Sequence, residues 1–254
     1  MTDSATAVAQ DWERLARSDP LWAVYVAPGK RRGGWDREEF LATGRREVDR
    51  VVHRARALAP QLGSTVALDF GCGAGRLSAA LRRHFDHVVG VDASPSMLAT
   101  ARDLVGDDPR LRLVQNAAPH LGAVRTGSVD LAYSSLVLQH LPRPAALRFL
   151  AELLRITKPD GCVAVQVVSR PDWSVRGVAA RVLPARVVGV VQRRLLGYPA
   201  AMLMTALPPA TVVAQVERVG GRVLGVEEDR SYGSHWHATR WYMQPAGQAA
   251  AGGT

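Results

Sequence analysis

The sequence predicts an α/β fold with a mostly parallel sheet between layers of helices, and three observations support this prediction. Strand-like and helix-like segments alternate through the middle of the chain, which is typical of parallel strands joined by right-handed crossover helices. A glycine-rich turn at residues 69–75 follows the first of these strands. Asp92 follows the second strand. Ligands of such sheets bind at the carboxyl ends of the strands, so we expect the site there.

The spacing of apolar residues sets the order of the predicted elements. The N-terminal part contains a helix at 4–18 capped by Asp3 or Ser4, an apolar segment at 21–26 and a long helix at 35–58. The central strands lie near 65–70, 87–92, 111–115, 129–134 and 161–168, with helices near 75–84, 95–105 and 144–155. The last part contains a helix at 211–219 and a hairpin of 222–228 with 239–244.

Residues 170–208 interrupt this alternation, because prolines punctuate the segment. We interpret it as a substrate lid above the carboxyl ends of the strands, or as a basic surface helix pair around Arg181, Arg186, Arg193 and Arg194. The predicted organisation is then an N-terminal helical cap at 1–60, a cofactor-binding core at 61–169, the insertion at 170–208, a helix and hairpin at 209–245, and a disordered tail at 246–254.

The glycine-rich turn reads V-A-L-D-F-G-C-G-A-G-R-L over residues 66–77. Its glycines let a ligand lie against bare backbone, and we expect free N–H groups to point outward. The third glycine comes one residue too early for a dinucleotide-binding turn, and Asp69 would repel an anionic phosphate. The turn therefore favours a ligand with a positive charge and an amino-acid end.

Asp92 ends the second strand, about 20 residues after the glycine-rich turn. A carboxylate at this place can accept hydrogen bonds from both hydroxyls of a ribose. The alternative is a plain N-cap of the helix that begins near Pro95.

Four motifs in order, D-F-G-C-G-A-G-R-L, G-V-D-A-S-P-S-M-L, Q-N-A and D-L-A-Y-S-S-L-V-L-Q-H-L-P, are similar to those of class I S-adenosylmethionine-dependent methyltransferases. The resemblance covers residues 64–168, and more loosely 36–58 and 209–244. It implies a three-layer sandwich with a seven-stranded, mostly parallel sheet whose last strand is antiparallel, a helical cap and a lid insertion after the fifth strand. The implied cofactor is S-adenosyl-L-methionine, with S-adenosyl-L-homocysteine as product.

The same resemblance implies roles for individual residues. The methionine portion of the cofactor would lie at Asp69, Gly71, Cys72, Gly73 and Ser134, and the rim of the site at Gln139. Asp92 would hold the ribose, and the adenine would contact Ala93, Met97, Asn116 and Ala117. The family often has aspartate where this chain has Asn116, but an amide carbonyl can still accept from the adenine amino group. Arg76 either pairs with the cofactor carboxylate or lies in solvent.

A general base is needed only for an unactivated hydroxyl or a protonated amine. His140 is the nearest candidate, with a structural role as the alternative, and His235 and His237 are further candidates. The remaining histidines lack metal-ligand spacing, so we expect no metal. Cys72 and Cys162 are interpreted as small buried side chains.

Composition limits the partners. The 254 residues carry a formal charge of +9, but nearly all of it comes from scattered arginines, and Lys30-Arg31-Arg32 is the only tight cluster. Nucleic acid is therefore not favoured. With two cysteines, no signal-peptide pattern and no bilayer-spanning segment, we expect a cytoplasmic protein without a membrane partner, as a monomer or homodimer.

The fourth strand ends in Tyr133-Ser134-Ser135, without the Pro-Pro-aromatic motif of enzymes that methylate exocyclic amines. The sequence thus favours methyl transfer to O, N or C of a small molecule, as in secondary metabolism. Trp12, Trp22, Tyr25 and Trp35 either cap an acceptor or hold the N-terminal helices by packing. Two alternatives stay open: a cofactor-assisted rearrangement or cyclisation, and methylation of RNA or protein.

Overall fold

A computed structural model describes residues 3–174, 177–178, 182–229 and 236–245. The strands are β1 (Val66–Phe70), β2 (His87–Asp92), β3 (Leu111–Gln115), β4 (Val129–Ser134), β5 (Thr157–Pro171), β6 (Arg222–Asp229) and β7 (Trp236–Gln244). The helices are α1 (Asp3–Ser18), α2 (Pro20–Val24), α3 (Arg37–Leu58), α4 (Arg76–Leu81), α5 (Pro95–Val105), α6 (Arg143–Ile156), α7 (Ala185–Arg194) and α8 (Pro209–Arg218), with a short 3-10 turn at Leu138–His140.

The seven strands form one sheet in the order β3-β2-β1-β4-β5-β7-β6. Strands β1 to β5 are parallel to one another, whereas β7 runs antiparallel to both β5 and β6. Apolar side chains cover both faces of the sheet and form a separate cluster on each. Because a parallel sheet needs cover on both faces, the helices divide into two layers around it. The predicted fold class is confirmed.

Most helix and strand boundaries predicted from the sequence agree with the structure to within one or two residues. Asp36 caps α3 by accepting from the N–H of Glu39, and the Ser94 side chain caps α5 by accepting from the N–H of Met97. Three elements differ by more: α4 ends at Leu81 rather than near 84, β5 covers Thr157–Pro171 rather than 161–168, and β7 begins at Trp236, opposite Pro171, rather than at 239. Backbone pairing with β7 lengthens β5, and the sequence of β5 alone does not show this pairing. The predicted tail at 246–254 lies outside the described residues.

The insertion leaves the carboxyl end of β5 and contains α7. It then returns along Ala200–Leu207, where Ala200 packs with Leu15 and Met97 and Leu207 joins the cluster on one face of the sheet. None of the helices in the described ranges has the length and apolar character that crossing a bilayer requires.

Close packing of α3 on α4 gives a first prediction. A Cβ on Gly44 would lie 2.3 Å from the backbone oxygen of Arg76, which cannot move without displacing α4. We therefore expect Gly44→Ala to lower the free energy of unfolding by about 1–3 kcal/mol, as other overpacked sites do. Urea unfolding monitored by circular dichroism measures this difference.

Gly189 in α7 provides the matched control, since a Cβ there would meet the Cβ of Ala201 at an ordinary 3.5 Å. Gly189→Ala should leave stability unchanged or raise it, because alanine is the better helix former. Equal effects of the two substitutions would contradict the proposed helix contact.

Candidate active site

A cavity of about 380 Å³ lies at the carboxyl ends of the central strands. Its walls come from the glycine-rich turn, the ends of β2 and β4, the segment after β3, and α1. Residues lining it include Trp12, Val24, Phe70, Gly71, Gly73, Asp92, Ala93, Met97, Asn116, Ala117, Ser135, Leu136, Val137, His140 and Phe149. Most of these side chains are apolar, and the polar ones are few and lie at separate places.

The glycine-rich turn differs from the sequence prediction in one respect. Its N–H groups are not free: those of Gly71 and Cys72 donate to the carbonyl of Val91, at 2.7 and 3.0 Å, and that of Gly73 donates to the carboxylate of Asp92 at 2.8 Å. The turn is thus fastened to the end of β2. What it presents to the cavity is bare glycine backbone rather than a set of donors.

The glycines of this turn are required for a second reason. Gly71 and Gly73 have φ of +74° and +50°, and a Cβ on either would clash with a valine of the cavity wall. The contact would be 2.3 Å to Val137 for Gly71 and 2.6 Å to Val24 for Gly73. Backbone conformation and the close approach of the walls therefore both require glycine.

Asp92 lies at the wall with its two oxygens each accepting one backbone hydrogen bond. Oδ2 accepts from Gly73 and Oδ1 from Ser94, at 2.8 and 2.9 Å. Each oxygen keeps a further lone pair for a ligand hydroxyl. Burial raises the pKa of Asp92, while the bonds from Ser94 and Gly73 oppose that rise.

Asn116 follows β3 and also reaches the cavity. Its Nδ2 donates to the carbonyls of Ala118 and His120, both at 3.2 Å, which fixes the orientation of the amide. Its Oδ1 accepts no hydrogen bond from the residues that the structure describes. Ala93, Met97 and Ala117 complete the same wall, so the structure brings together all five residues expected at the nucleoside.

Asp69 is fully buried beside the glycine-rich turn and, like Ser134, does not line the cavity, although both were expected at the methionine portion of the cofactor. Its Oδ2 accepts from the hydroxyl of Ser78 at 2.6 Å, whereas Oδ1 has no partner among the described residues. Burial raises the pKa of Asp69 to about 7. Ser134 is buried next to it and donates to the carbonyl of Phe70 at 3.0 Å. Burial also raises the pKa of the Cys72 thiol, which does not line the cavity.

Arg76 occupies neither of the places expected for it. Its side chain is 2% exposed, and its Nη1 lies 2.8 Å from Oε2 of Glu47. The guanidinium also stacks over the ring of Tyr25, with its central carbon 4.7 Å from the ring centre. Arg76 therefore belongs to a buried charge cluster rather than to the surface of the cavity.

Glu47 is the centre of this cluster, which the sequence did not indicate. Its Oε1 accepts from the hydroxyls of Tyr133 and Ser135, at 2.6 and 2.7 Å, and from Arg240 at 3.3 Å. Burial opposes ionisation, but the charges of Arg76 and Arg240 lower the pKa of Glu47 to about 2. The carboxylate stays ionised and can only accept, so the Ser135 hydroxyl donates to it and faces any ligand as an acceptor.

His140 lines the cavity from the 3-10 turn after β4. Its Nδ1 lies 2.8 Å from the carbonyl of Leu203, so Nδ1 carries the proton and Nε2 holds a lone pair. Burial lowers the pKa of His140 to about 4, so the ring is neutral near pH 7. Trp12 of α1 packs edge-on against it, with ring centres 4.9 Å apart.

The other predicted site residues lie elsewhere. Gln139 is fully buried, and neither its amide oxygen nor its amide nitrogen has a partner among the described residues. His237 is in β7 opposite Arg170 and is absent from the cavity wall. His235 lies outside the described residues.

Helix α1 contributes a wall that the sequence analysis only partly anticipated. Trp12 faces the cavity, and Glu13 fastens the helix to the N-terminus of α5. The carboxylate of Glu13 accepts from the hydroxyls of Ser94 and Ser96, at 2.6 and 2.5 Å. A negative charge at a helix N-terminus is stabilised by the helix dipole. The periodicity of α1 gives no sign of this contact, because its partner lies more than 80 residues away.

Comparison with known proteins agrees with this geometry. Residues 68–165 match the family model described as a methyltransferase domain. This segment belongs to the methyltransferase domain family. It spans the glycine-rich turn, Asp92, Asn116 and the strand that leads to His140, so the resemblance to class I S-adenosylmethionine-dependent methyltransferases is confirmed.

Individual relatives of the methyltransferase domain differ in their substrates. The chain is 38% identical over 119 residues to a trans-aconitate 2-methyltransferase of Deinococcus radiodurans, covering 46% of this chain and 43% of that protein. It is 34% identical over 132 residues to a demethylmenaquinone methyltransferase of Clavibacter sepedonicus, covering 52% of each. The chain spans about half the length of the curated relatives it matches.

A solved structure shows the same fold over nearly the whole chain. Magnesium protoporphyrin IX methyltransferase of Synechocystis, crystallised with S-adenosylhomocysteine, superposes with a TM-score of 0.64 at 17% identity. The match covers 96% of this chain and all of that one. At this identity the likeness establishes the fold.

The residues present in the methyltransferase domain fit S-adenosylmethionine. The carboxylate of Asp92 has lone pairs for a ribose diol, and Oδ1 of Asn116 can accept from an adenine amino group. Oδ1 of Asp69 is a buried carboxyl oxygen without a partner among the described residues, which suits a cationic group nearby. The glycine-rich turn leaves room where any other side chain would be in contact with the cavity wall.

Proposed function

We propose that this chain catalyses S-adenosylmethionine-dependent methyl transfer to a small molecule that carries an O–H or N–H group. The observation that carries the proposal is that one and the same cavity is lined by Asp92 and Asn116 and by Ser135 and His140. When bound, the cofactor supplies a methyl group made electrophilic by its sulfonium charge.

The cofactor side of the proposal assigns binding to this chain's own groups. Asp92 accepts from the ribose hydroxyls, Asn116 accepts from the adenine amino group, and Ala93 and Met97 pack against the adenine. Asp69 lies behind the glycine-rich turn rather than in the cavity wall, and a cationic amino-acid end bound against the turn favours its ionised form. Arg76 has no part in this binding, because its guanidinium is already paired with Glu47.

The acceptor side is specific for a hydrogen-bond donor. Ser135 presents only lone pairs, because its hydroxyl donates a hydrogen bond to Glu47, and His140 presents the lone pair of Nε2, because its Nδ1–H donates to the carbonyl of Leu203. Two acceptors in an apolar cavity suit a hydroxyl or an amine and disfavour an anionic carboxylate. Nε2 of His140 accepts the hydrogen bond of the acceptor's O–H or N–H group and orients it, while a pKa of about 4 leaves the imidazole a weak base, and the apolar walls exclude water.

Asp92→Ala tests the binding half of the proposal. Because the variant lacks the acceptors for the ribose hydroxyls, we expect it to bind S-adenosylhomocysteine about tenfold to a hundredfold more weakly. Titration calorimetry of the purified chain measures this. Asp103→Ala removes an exposed aspartate of α5 and should bind as the wild type does. An Asp92 variant that is folded by circular dichroism and binds with unchanged affinity would rule out the assignment.

Product analysis tests the reaction itself. Incubation with S-adenosylmethionine and a panel of phenols, hydroquinones and amines should release S-adenosylhomocysteine in step with a methylated product. A product of unchanged mass, formed without S-adenosylhomocysteine, would instead indicate a rearrangement or cyclisation.

A further inference from the structure

The insertion concentrates the exposed apolar surface of this molecule. Of the twelve large apolar side chains that the described ranges expose, nine lie between residues 173 and 203. Soluble domains usually expose such side chains singly, and a group of them marks a docking surface. The part that combines exposed apolar side chains with arginines is here named the basic apolar surface. It consists of Val187, Val190, Arg193, Arg194, Leu195 and Leu196.

Helix α7 turns two of its apolar side chains away from the protein. Gly189 is buried against Ala201, and the side chain of Gln192 makes two hydrogen bonds to the backbone of Met202. Val187 and Val190, 42% and 46% exposed, lie on the opposite face. A surface helix normally turns its apolar face to the protein. Val187 and Val190 are therefore placed to contact something outside the chain.

The charge of this segment indicates that its partner is anionic. Residues 173–216 contain five arginines and no aspartate or glutamate. Arg193 and Arg194 are exposed at the end of α7, directly before the exposed Leu195 and Leu196. Exposed apolar side chains next to arginines, with no acidic residue among them, are typical of segments that lie in the interface of an anionic membrane.

The same surface is held firmly to the N-terminal part of the chain. Arg31, from the basic cluster at 30–32, donates to the carbonyl of Leu196 at 2.7 Å and to that of Gly197. Its guanidinium packs over the rings of both Trp22 and Tyr198, 5.2 and 4.9 Å from their centres. The loop that carries Leu195 and Leu196 is thus fixed in place, with a cationic cluster beside it.

We propose that the basic apolar surface docks this protein on the surface of an anionic lipid membrane. Val187, Val190, Leu195 and Leu196 enter the headgroup boundary, and Arg193 and Arg194 pair with lipid phosphates. The composition led us to expect no membrane partner because nothing in it spans a bilayer, but docking of this kind needs no spanning segment. If the proposed function holds, docking brings the cavity close to lipid-dissolved acceptors, since Leu203, which follows this surface, bonds His140.

Vesicle flotation with the full chain tests the proposal. Wild-type protein should float with phosphatidylcholine vesicles that contain phosphatidylglycerol, should float much less with phosphatidylcholine alone, and should dissociate at high salt. Val190→Glu should weaken binding by about tenfold or more, because it places a negative charge in the contact. Arg193→Glu with Arg194→Glu should abolish it.

Val226→Glu is the matched control, because Val226 in β6 is 45% exposed but lies outside the basic apolar surface. It should bind vesicles as the wild type does. Failure of wild-type protein to float at low salt, or equal losses in Val190→Glu and Val226→Glu, would overturn the proposal. A third outcome would also overturn it: light scattering shows a dimer that Val190→Glu dissociates, and neither the wild type nor the variant binds vesicles. Flotation needs no acceptor, so it is independent of any failure of methyl transfer.

Discussion

Glu47→Gln lowers the free energy of unfolding by about 3–5 kcal/mol at pH 7, the largest single loss we expect in this chain. The substitution keeps the shape of the side chain but leaves the guanidinium groups of Arg76 and Arg240 without their buried counter-charge. Arg240 keeps a second ion pair, with Asp229 at 2.6 Å, so most of the lost stabilisation comes from Arg76. Chemical denaturation of both proteins measures the difference.

The pH dependence of that loss is fixed by the pKa of Glu47. The pKa falls from 4.5 to about 2 in the folded protein. The ionised carboxylate therefore stabilises the fold above pH 4.5, and the contribution is lost as the pH falls through about 2. The shift corresponds to about 3 kcal/mol, so the wild type and Glu47→Gln should converge in stability towards pH 2.

Glu38→Gln provides the control on the same helix. Glu38 pairs with Arg45, but its side chain is 75% exposed, and exposed pairs contribute little. We expect no more than a small change at any pH. If Glu38→Gln and Glu47→Gln destabilise the protein equally, the buried cluster does not have the energetic role given to it here.

Asp69 produces the opposite dependence on pH. Burial raises its pKa from 3.8 to about 7, with only Ser78 donating to it. As the pH rises from 3.8 to 7 the unfolded chain loses this proton and the folded chain does not, so stability falls by about 4 kcal/mol. Asp69→Asn removes the group, and its stability should fall much less between pH 5 and pH 8.

Unfolding of both proteins across this range tests the prediction, with the exposed Asp103→Asn as control. Asp92, whose pKa is also raised, leaves some residual slope in every variant, so the difference between slopes is the relevant measurement. Parallel curves for wild type and Asp69→Asn would show that Asp69 is ionised in the folded protein. The cationic group of the proposed ligand would provide the counter-charge that is missing beside Asp69 in the free protein.

These two carboxylates show where reasoning from sequence stops. Asp69 could be picked out because it stands inside a recognisable glycine-rich motif. Glu47 could not, since it is one of several charged residues on a helix with ordinary amphipathic spacing. Its importance comes from Tyr133, Ser135 and Arg240, and the last of these is 193 residues away along the chain.

The site shows the same division. The carboxyl-end location and the roles of Asp92 and Asn116 could be proposed in advance, because strand ends and their following residues are local features. The pairing of Arg76 with Glu47, the occupied N–H groups of the turn and the contact between Trp12 and His140 could not. Each of these requires knowing which distant segment packs against the turn or the cavity.

The sequence by itself determined the layered α/β fold, the positions of its parallel strands along the chain and the set of residues expected at the nucleoside. Periodic burial and glycine spacing are properties of short stretches of chain, so they can be read without a partner. Only the tertiary structure decided which charges are paired, which hydroxyls and ring nitrogens remain as acceptors, and that Val187 and Val190 of α7 turn outward. Hydrogen-bond polarity and burial depend on neighbours supplied by other elements, and no local pattern encodes them.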